Sequence, residues 1–183
     1  MNLKIRPATV DDLINVKALE SKAFPSSEAD TLEMITFRLD AAPDLFLIAE
    51  LDNRIVGFIN ALPTNVERLT NNFYVDAPDI DRNAVGIAAM SLAVDQNFRR
   101  QGIAAQLLNA FLDRARNARK QFVAFVCKDE KISYYQKFGF KCVGVSSVTL
   151  GNARWHDMII NLGEGVQRAQ TQKRLRRLKS QRE

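Results

Sequence analysis

The stretch SLAVDQNFRRQGIA, residues 91–104, joins an apolar run to a glycine-containing turn and is the most informative part of the chain. The run begins at about residue 83 and is continuous, which is typical of a strand buried on both faces. Beyond the turn, apolar residues recur at spacings of three and four, so we expect an amphipathic helix starting near Gln101. The stripe of that helix consists of Ala104, Leu108, Phe111 and Ala115.

The junction between this strand and this helix is a candidate phosphate site. The N-terminus of a helix carries unpaired N–H groups and a partial positive charge, which favour a bound anion. Gly102 would let the anion approach the backbone closely. Taken alone, the motif is equally typical of an ordinary strand-to-helix turn with solvated arginines, because short glycine motifs often occur by chance.

A second motif, YYQKFGF at residues 134–140, lies further along the chain. It follows FVAFVC, residues 122–127, which we interpret as another buried strand. A short helix through Tyr135 should end at Gly139, since glycine is a common helix-stop signal. At helical spacing with Ile132 and Phe138, Tyr135 by itself is more typical of a core tyrosine than of a catalytic one.

The flanking segments complete an order of strand, two helices, three strands, helix, strand, helix and two strands. Thr9 and Asp12 resemble a capping box at the start of the first helix. The other predicted elements are a strand at LKIRP, helices up to Pro43, a hairpin of 45–51 and 54–62, a loop at 63–82 and a closing hairpin of 140–150 and 153–162. This order predicts a mixed α/β sheet with helices on both faces.

Together, the two motifs resemble the GNAT superfamily of acetyl-CoA-dependent N-acetyltransferases. RRQGIA is similar to its pyrophosphate-binding turn, which has Gln or Arg three residues before the first glycine and Gly or Ala two after it. YYQKFGF resembles the next block, whose tyrosine lies four residues before the glycine. The resemblance covers residues 2–162. It implies the GNAT acyl-CoA N-acyltransferase fold, an α/β fold of about seven strands with helices on both faces.

A narrower resemblance is to the arylalkylamine, or serotonin-type, N-acetyltransferases and their microbial relatives. It is carried by FLIAELDNRIVGFI (46–59), ERLT (67–70), LAVDQNFRRQG (92–102) and YYQKFGFKCVGVSSVTLG (134–151). The resemblance implies an acyltransferase that moves the acetyl group from acetyl-CoA, its co-substrate, to a primary amine. We expect this partner to be a small aryl- or alkylamine that attacks directly in a ternary complex.

The resemblance also implies roles for individual residues. The N–H of Leu92 would hold the thioester oxygen as it becomes an oxyanion, and Leu92, Ala93 and Val94 would pair with the pantetheine arm as an added strand does. Tyr135 would contact the cofactor and protonate the departing thiolate as general acid. The pyrophosphate would be bound by Arg99, Arg100, Gln101, Gly102, Ile103 and Ala104.

The general base is left open. An alkylamine is protonated at pH 7, so a base or a water chain must remove a proton. Animal serotonin enzymes use two histidines on the fourth strand, and the matching positions here are Ala88 and Met90. Glu28, Asp129 and water remain as candidates, and we favour Glu28 because it lies between the first two helices, where this superfamily forms its acceptor site. A carboxylate that only stabilises the dipole of the second helix is an equally good interpretation.

No metal site is expected, because one histidine and two cysteines give no cluster with zinc-ligand spacing. Cys127 is more typical of inert packing than of a nucleophile, and ping-pong chemistry through it is the lesser alternative. We expect His156 to be structural or exposed and Tyr134 to pack. Low cysteine use and the lack of an apolar leader or membrane span predict a cytoplasmic protein that does not enter a membrane.

The net charge of +5 is confined to residues 164–183, and the rest of the chain is neutral. We therefore expect an acetyltransferase domain at 1–162 and a basic C-terminal helix or tail at 163–183. The tail contains KRLRRLK, which is typical of patches that bind phosphate backbones, but it has no aromatic residue for base stacking. We therefore expect no nucleic acid as a partner except through this tail, which could also connect the subunits of a homodimer.

Two other functions stay open at this point. A peptide or protein N-acetyltransferase would need an open groove, and the long loop at 63–82 argues mildly against one. A ribosome- or nucleic-acid-associated protein could use the acetyl-CoA fold as a scaffold and the tail as its contact. The loop favours a cationic acceptor, because it carries Asp76, Asp79 and Asp81 without a basic residue between Leu69 and Ile80.

Overall fold

The computed structural model describes residues 3–75 and 77–163. The strands are β1 (Leu3–Pro7), β2 (Leu47–Leu51), β3 (Arg54–Thr64), β4 (Gly86–Val94), β5 (Phe122–Lys128), β6 (Lys141–Val145) and β7 (Trp155–Asn161). The helices are α1 (Leu13–Ala23), α2 (Leu32–Ala41), α3 (Asn72–Val75), α4 (Ile103–Asn117) and α5 (Ile132–Gln136). The described strands form one sheet in the order β1-β2-β3-β4-β5-β7-β6, and its neighbours are antiparallel except for the parallel pair β4–β5. The predicted mixed sheet of seven strands is confirmed.

Local signals place the N-terminal elements. The backbone N–H of Thr9 donates to Asp12 Oδ2 over 2.8 Å, which confirms the capping box before α1. The Thr31 hydroxyl accepts a hydrogen bond from the first turn of α2. Asp52 and Asn53 both have left-handed backbone angles, φ 47° and 63°, the geometry that a two-residue hairpin favours between β2 and β3.

Helices cover both faces of the sheet, as predicted. One face is packed against α1 and α2 and buries Val16, Leu19, Ile35, Leu39, Phe46, Ile48, Phe58 and Ala93. The other is packed against α4 and buries Ile87, Leu107, Leu108, Phe111, Val123, Phe125 and Met158, with Tyr135 of α5 against this cluster. Because apolar side chains line both faces, the sheet supports two separate layers of helices.

The parallel pair β4–β5 is short. Its register contains Gly86–Phe122, Ile87–Val123 and Ala88–Ala124. From Ala89 to Val94, β4 keeps its β3 neighbour but has no β5 partner in the described chain. Met90 is skipped in the β3 register, so it forms a bulge at the point where the two strands separate. A gap between β4 and β5 therefore opens beyond Ala88.

Three predicted boundaries are wrong. The strand expected from residue 83 starts at Gly86, because the N–H of Val85 donates to the side chain of Asn65 instead of joining the sheet. The strand expected at 140–150 ends at Val145, because Thr149 is hydrogen-bonded to Asn71 rather than to β7. The loop expected at 63–82 includes the last residues of β3 and the whole of α3.

The predicted division into a domain at 1–162 and a basic tail at 163–183 falls at the edge of the described residues. Apart from Gly163, the tail lies outside them. None of the helices formed by residues 3–75 and 77–163 has the length and apolarity that crossing a membrane requires.

Candidate active site

The gap between β4 and β5 is the centre of the candidate site. Leu92, Ala93 and Val94, which we predicted to pair with an extended ligand, all lie on the part of β4 that borders it. Their other edge is occupied by β3, with Leu92 opposite Ile59. A strand with one unpaired edge presents backbone N–H and C=O groups to an added strand. The geometry of β4 therefore fits the predicted pantetheine contact.

The turn after β4 has the conformation of an anion site. Arg100 and Gly102 are left-handed, with φ of 61° and 79°, whereas Gln101 between them is not. Alternating backbone conformations of this kind turn successive N–H groups toward one side, and such concavities bind anions. Arg99 is held at the start of the turn because its Nε donates to the carbonyl of Val94 over 3.0 Å.

The first turn of α4 adds further donors. Gly102 is the N-cap residue and no described side chain caps the helix, so the first N–H groups of α4 lack a capping partner. A Cβ placed on Gly102 would meet no described atom within 4 Å. Ile103 is buried and Ala104 half-buried, so their side chains anchor the helix while their N–H groups point along its axis. Residues 99–104 thus fit a pyrophosphate.

Tyr135 lies on α5, against the face of the sheet that carries α4. Its ring centroid is 4.5 Å from that of Phe125 and 6.2 Å from that of Phe140, both in edge-to-face contact. Burial raises the pKa of Tyr135 above its ordinary value, and the neighbouring Cys127 raises it further. The phenol is therefore protonated at neutral pH, as a proton donor must be.

The neighbours of Tyr135 are packing groups. The ring of Tyr134 is in edge-to-face contact with that of Tyr135 and in tilted contact with that of Phe138, at centroid distances of 5.3 and 5.2 Å, as predicted for a packing residue. Burial raises the pKa of Cys127 to about 12. Because the thiolate is the nucleophilic form, this cysteine is a poor nucleophile at neutral pH, which argues against ping-pong chemistry.

The candidate bases from the sequence are engaged with other side chains. Glu28 Oε1 is 2.7 Å from Lys128 Nζ, at the end of β5. Asp129 contacts Nε2 of His156, whose Nδ1 is 3.8 Å from Cys142 Sγ. His156 is half-buried, which agrees with a structural role. Ala88 is buried and Met90 lies in the bulge. Neither side chain can accept a proton, so neither can take the role of the histidines in the animal enzymes.

A buried polar cluster that neither sequence motif reveals lies on the α1–α2 side of β4. Its members are Glu20, Asp30, Arg38, Asn60 and Ser91, each at most 9% exposed. Arg38 Nη2 donates to Asp30 Oδ1 over 2.7 Å, and the Ser91 hydroxyl lies 3.0 Å from Asp30 Oδ2. The sequence contained one signal for this cluster: Glu20 and Arg38 directly adjoin the apolar residues Leu19 and Leu39 of the two helices. A charged side chain that is buried beside such residues is expected to have a partner.

Two titratable groups of this region are strongly perturbed. Burial raises the pKa of Glu20 to about 8, with a further increase from the charge of Asp30 and an opposing decrease from Arg38. Burial also raises the pKa of Tyr74 on α3, while the charges of Arg38 and Asp30 act on it in opposite directions. Within the described residues, no group of three or more His, Cys, Asp or Glu side chains could hold a metal ion.

Comparison with known proteins gives a family match and several similar structures. Residues 13–140 match the model of the acetyltransferase (GNAT) family. The serotonin N-acetyltransferase of Mesocricetus auratus is 30% identical over 165 residues, which cover 87% of this chain and 77% of that protein.

Two solved structures illustrate the shared fold. GphF, a GNAT-like decarboxylase in complex with isobutyryl-CoA, is 16% identical with a TM-score of 0.75, over 87% of this chain and 99% of that one. Arabidopsis thaliana Naa50, bound to the bisubstrate analogue CoA-Ac-MVNAL, is 18% identical with a TM-score of 0.69, over the same shares of the two chains.

Proposed function

The chain belongs to the acetyltransferase (GNAT) family, and on that premise we propose that it transfers the acetyl group of acetyl-CoA to a small aryl- or alkylamine. The observation that carries the proposal is the edge of β4 that has no described β5 partner beyond Ala88 and leads directly into the turn at 99–104. The protonated phenol of Tyr135, on α5, supports it. The similarity to serotonin N-acetyltransferase supports an arylalkylamine as acceptor.

Acetyl-CoA is the co-substrate, and the backbone would do most of the binding. The N–H groups of residues 99–104 bind the pyrophosphate, and Leu92, Ala93 and Val94 pair with the pantetheine arm along the open edge of β4. The N–H of Leu92 then stabilises the charge that develops on the thioester oxygen. Because these contacts use backbone groups, the side chains at these positions are free to pack.

The chemistry we propose is direct attack of the neutral amine on the thioester within a ternary complex. Tyr135 donates its proton to the departing CoA thiolate and recovers one from the new amide nitrogen. The pKa of Cys127, about 12, supports direct attack over transfer through a cysteine. The acidic residues Asp79 and Asp81 of the loop would attract the cationic acceptor before it enters the gap.

The proposal is tested by thioester turnover with purified protein. Release of CoA from acetyl-CoA is measured with tryptamine and 2-phenylethylamine, with polyamines, and with peptides that have free N-termini. We expect the highest kcat/KM for the arylalkylamines. Faster turnover of the peptides would favour a peptide N-acetyltransferase, and no turnover with any amine would contradict the proposed activity.

The proposal includes a cellular compartment for the enzyme and a separate role for the basic tail. Cys127 and Cys142 are free thiols, which accords with a reducing compartment, so we place the enzyme in the cytoplasm. We assign catalysis to residues 1–162, because every residue of the proposed site lies within them, and a separate contact, with an anionic partner or a second subunit, to the basic tail.

A further inference from the structure

The buried cluster next to β4 carries more charge than it neutralises. Glu20 and Asp30 are two carboxyl groups, and Arg38 is the one basic side chain among the five members. Burying a charge without a partner is costly, so the carboxylate that has no cationic partner binds a proton more tightly than an exposed one does. Glu20 is the group affected, because Asp30 forms the ion pair with Arg38 and Glu20 does not.

Part of the cluster lacks hydrogen-bond partners. Glu20 Oε2, Arg38 Nε and Asn60 Nδ2 are buried without a partner in the described part of the chain. The other oxygen, Glu20 Oε1, accepts from the backbone N–H of Asp30 over 3.1 Å and lies 3.5 Å from Ser91 Oγ. Oε1 therefore fixes the orientation of the carboxyl group and also faces Ser91, so a proton that passes through Ser91 arrives at this oxygen.

The cluster is connected to the reaction centre through Ser91. This residue directly precedes Leu92 on the part of β4 that borders the gap. Its hydroxyl donates to Asp30 Oδ2 over 3.0 Å and accepts from Arg38 Nη1 over 3.2 Å. Glu20 Oε1 lies 3.5 Å from the same oxygen, so the hydroxyl has to turn from Asp30 to Glu20 to pass its proton. The cluster therefore lies directly behind the part of β4 that borders the gap.

We propose that Glu20 accepts the proton of the substrate ammonium group through the hydroxyl of Ser91. The ammonium proton passes to Ser91 Oγ while the Ser91 hydroxyl proton passes to the Glu20 carboxylate, so the serine is unchanged and Glu20 becomes a neutral acid. The C–N bond then forms and the C–S bond breaks. The second amine proton leaves with the CoA thiol through Tyr135, and Glu20 releases its proton to solvent. The proposal rests on the proposed amine acetylation.

The surroundings of Glu20 suit this role. Its pKa is raised to about 8, and a base is most effective when its pKa is close to the working pH. The groups that face the cluster are Asp30 from the connection between α1 and α2, Arg38 from α2, Tyr74 from α3, and the neutral Asn60 and Ser91 from the sheet. Glu28 and Asp129 are less suited, since Lys128 and His156 already bind them.

The test compares two acceptors of the same shape. 2-Phenylethylamine is protonated at pH 7, whereas O-benzylhydroxylamine, in which an oxygen replaces one methylene group, has an unprotonated amino group at that pH. Glu20→Gln keeps the size of the side chain and the oxygen that accepts from Asp30. We expect it to lower kcat/KM for 2-phenylethylamine roughly 100-fold, and to change kcat/KM for O-benzylhydroxylamine by less than about threefold.

A pH profile and a second variant complete the test. In Glu20→Gln, the rise of kcat/KM for 2-phenylethylamine should move to higher pH, toward the titration of the amine itself. Ser91→Ala should show the same preference for the unprotonated acceptor, and it keeps the test open if Glu20→Gln folds poorly by circular dichroism. Asp113→Asn, an exposed change on α4, serves as the matched control and should leave both rates unchanged.

The outcomes separate this proposal from the proposed function. Equal losses for the two acceptors would show that Glu20 has a structural role, and unchanged rates would show that it handles no proton, so either result overturns the proposal alone. If the wild-type protein acetylates neither acceptor, amine acetylation itself fails and the role of Glu20 fails with it.

Discussion

Gly102 combines two properties at a single residue. Its φ of 79° is strained for any residue with a Cβ, and the space where a Cβ would lie contains no described atom. A side chain here therefore has a backbone cost of about 1–2 kcal/mol and, in addition, occupies the space next to the proposed pyrophosphate. The two effects can be separated because they act on different measurements.

Gly102→Ala should weaken CoA binding at least about tenfold, measured by calorimetry, since its Cβ would enter the anion site. The control is Gly144→Ala on β6, which has a φ of 121° and whose Cβ would meet Arg68 at an ordinary 3.7 Å. Both variants should lose thermal stability, but the control should bind CoA normally. An equal affinity for CoA in the two variants would contradict the placement of the pyrophosphate.

Tyr135→Phe should lower kcat roughly 100-fold with little change in Tm, because the ring keeps its contacts with Phe125 and Phe140 and loses the proton that the thiolate needs. Tyr134→Phe is the matched control, since its ring is in contact with that of Tyr135. If Tyr134→Phe is the damaging change and Tyr135→Phe is nearly silent, the general acid has been assigned to the wrong tyrosine.

At the level of elements, the junction of β4 and β5 depends on a small contact surface. A Cβ on Gly86 would overlap the ring of Phe122, its partner in the first of the parallel pairs. Gly86→Ala should therefore lower the free energy of unfolding by about 1–3 kcal/mol, as overpacking of a core does. The double variant Gly86→Ala/Phe122→Leu should recover part of this loss. Urea unfolding measures both, and an unchanged midpoint in the single variant would refute the proposed clash.

The elements themselves were largely predictable from the sequence. The stripes of α1, α2 and α4 have helical spacing, and Asp52–Asn53 is a local turn signal, so short-range rules suffice for them. The end of β6 was not predictable, because the residues after Val145 are apolar enough for a strand and leave the sheet through contacts between Thr149 and Asn71, which are far apart in sequence.

The residues of the proposed donor site could be named from the sequence, whereas the buried cluster behind β4 could not. The turn at 99–104 and Tyr135 belong to compact motifs that can be read without the fold. Glu20, Arg38 and Ser91 come from three separate elements, and Glu20 stands among the polar residues Ser21 and Lys22, so nothing local marks it as buried. Their relation to one another exists only after α1 and α2 have packed on β4, so no local pattern contains it.

At the level of the whole molecule, the buried Glu20 makes stability depend on pH. Its pKa is about 8 in the folded protein against an ordinary 4.5, so the folded state binds the proton more tightly. Its contribution to the free energy of unfolding is therefore full below pH 4.5 and is progressively lost as the pH rises toward 8. Arg6 lowers the pKa of Asp12 to about 2. The stabilisation that Asp12 contributes is therefore lost only in acid, as the pH falls below about 4 toward 2, outside the range in which Glu20 acts.

Glu20→Gln should remove this dependence. Relative to the wild-type protein, the variant should become progressively more stable as the pH rises from 5 to 8, measured by urea unfolding at several pH values. Parallel stability curves for the two proteins would show that Glu20 titrates normally in the folded state.

The neutral body and the basic tail should also separate in function. Truncation after Leu162 should leave kcat/KM for small amines unchanged, since the proposed site lies within residues 20–135. If the tail binds RNA or another polyanion, the full-length protein should bind it with an affinity that falls steeply with salt, and the truncated protein should not. Loss of amine acetylation in a truncated protein that still folds would mean that the tail completes the site or the oligomer.

The short pairing of β4 with β5 has a consequence for what the substrate is to this protein. The sheet consists of two half-sheets, β1–β4 and β5–β7, whose strands are joined by a seam three residue pairs long. An extended donor in the gap would continue that seam with its own hydrogen bonds and would act as the missing length of strand. Binding of the donor would then raise the free energy of unfolding by mass action. Its hydrogen bonds would also connect the two half-sheets beyond the three residue pairs. The donor is in this sense a removable part of the fold, and each turnover takes it out and puts it back.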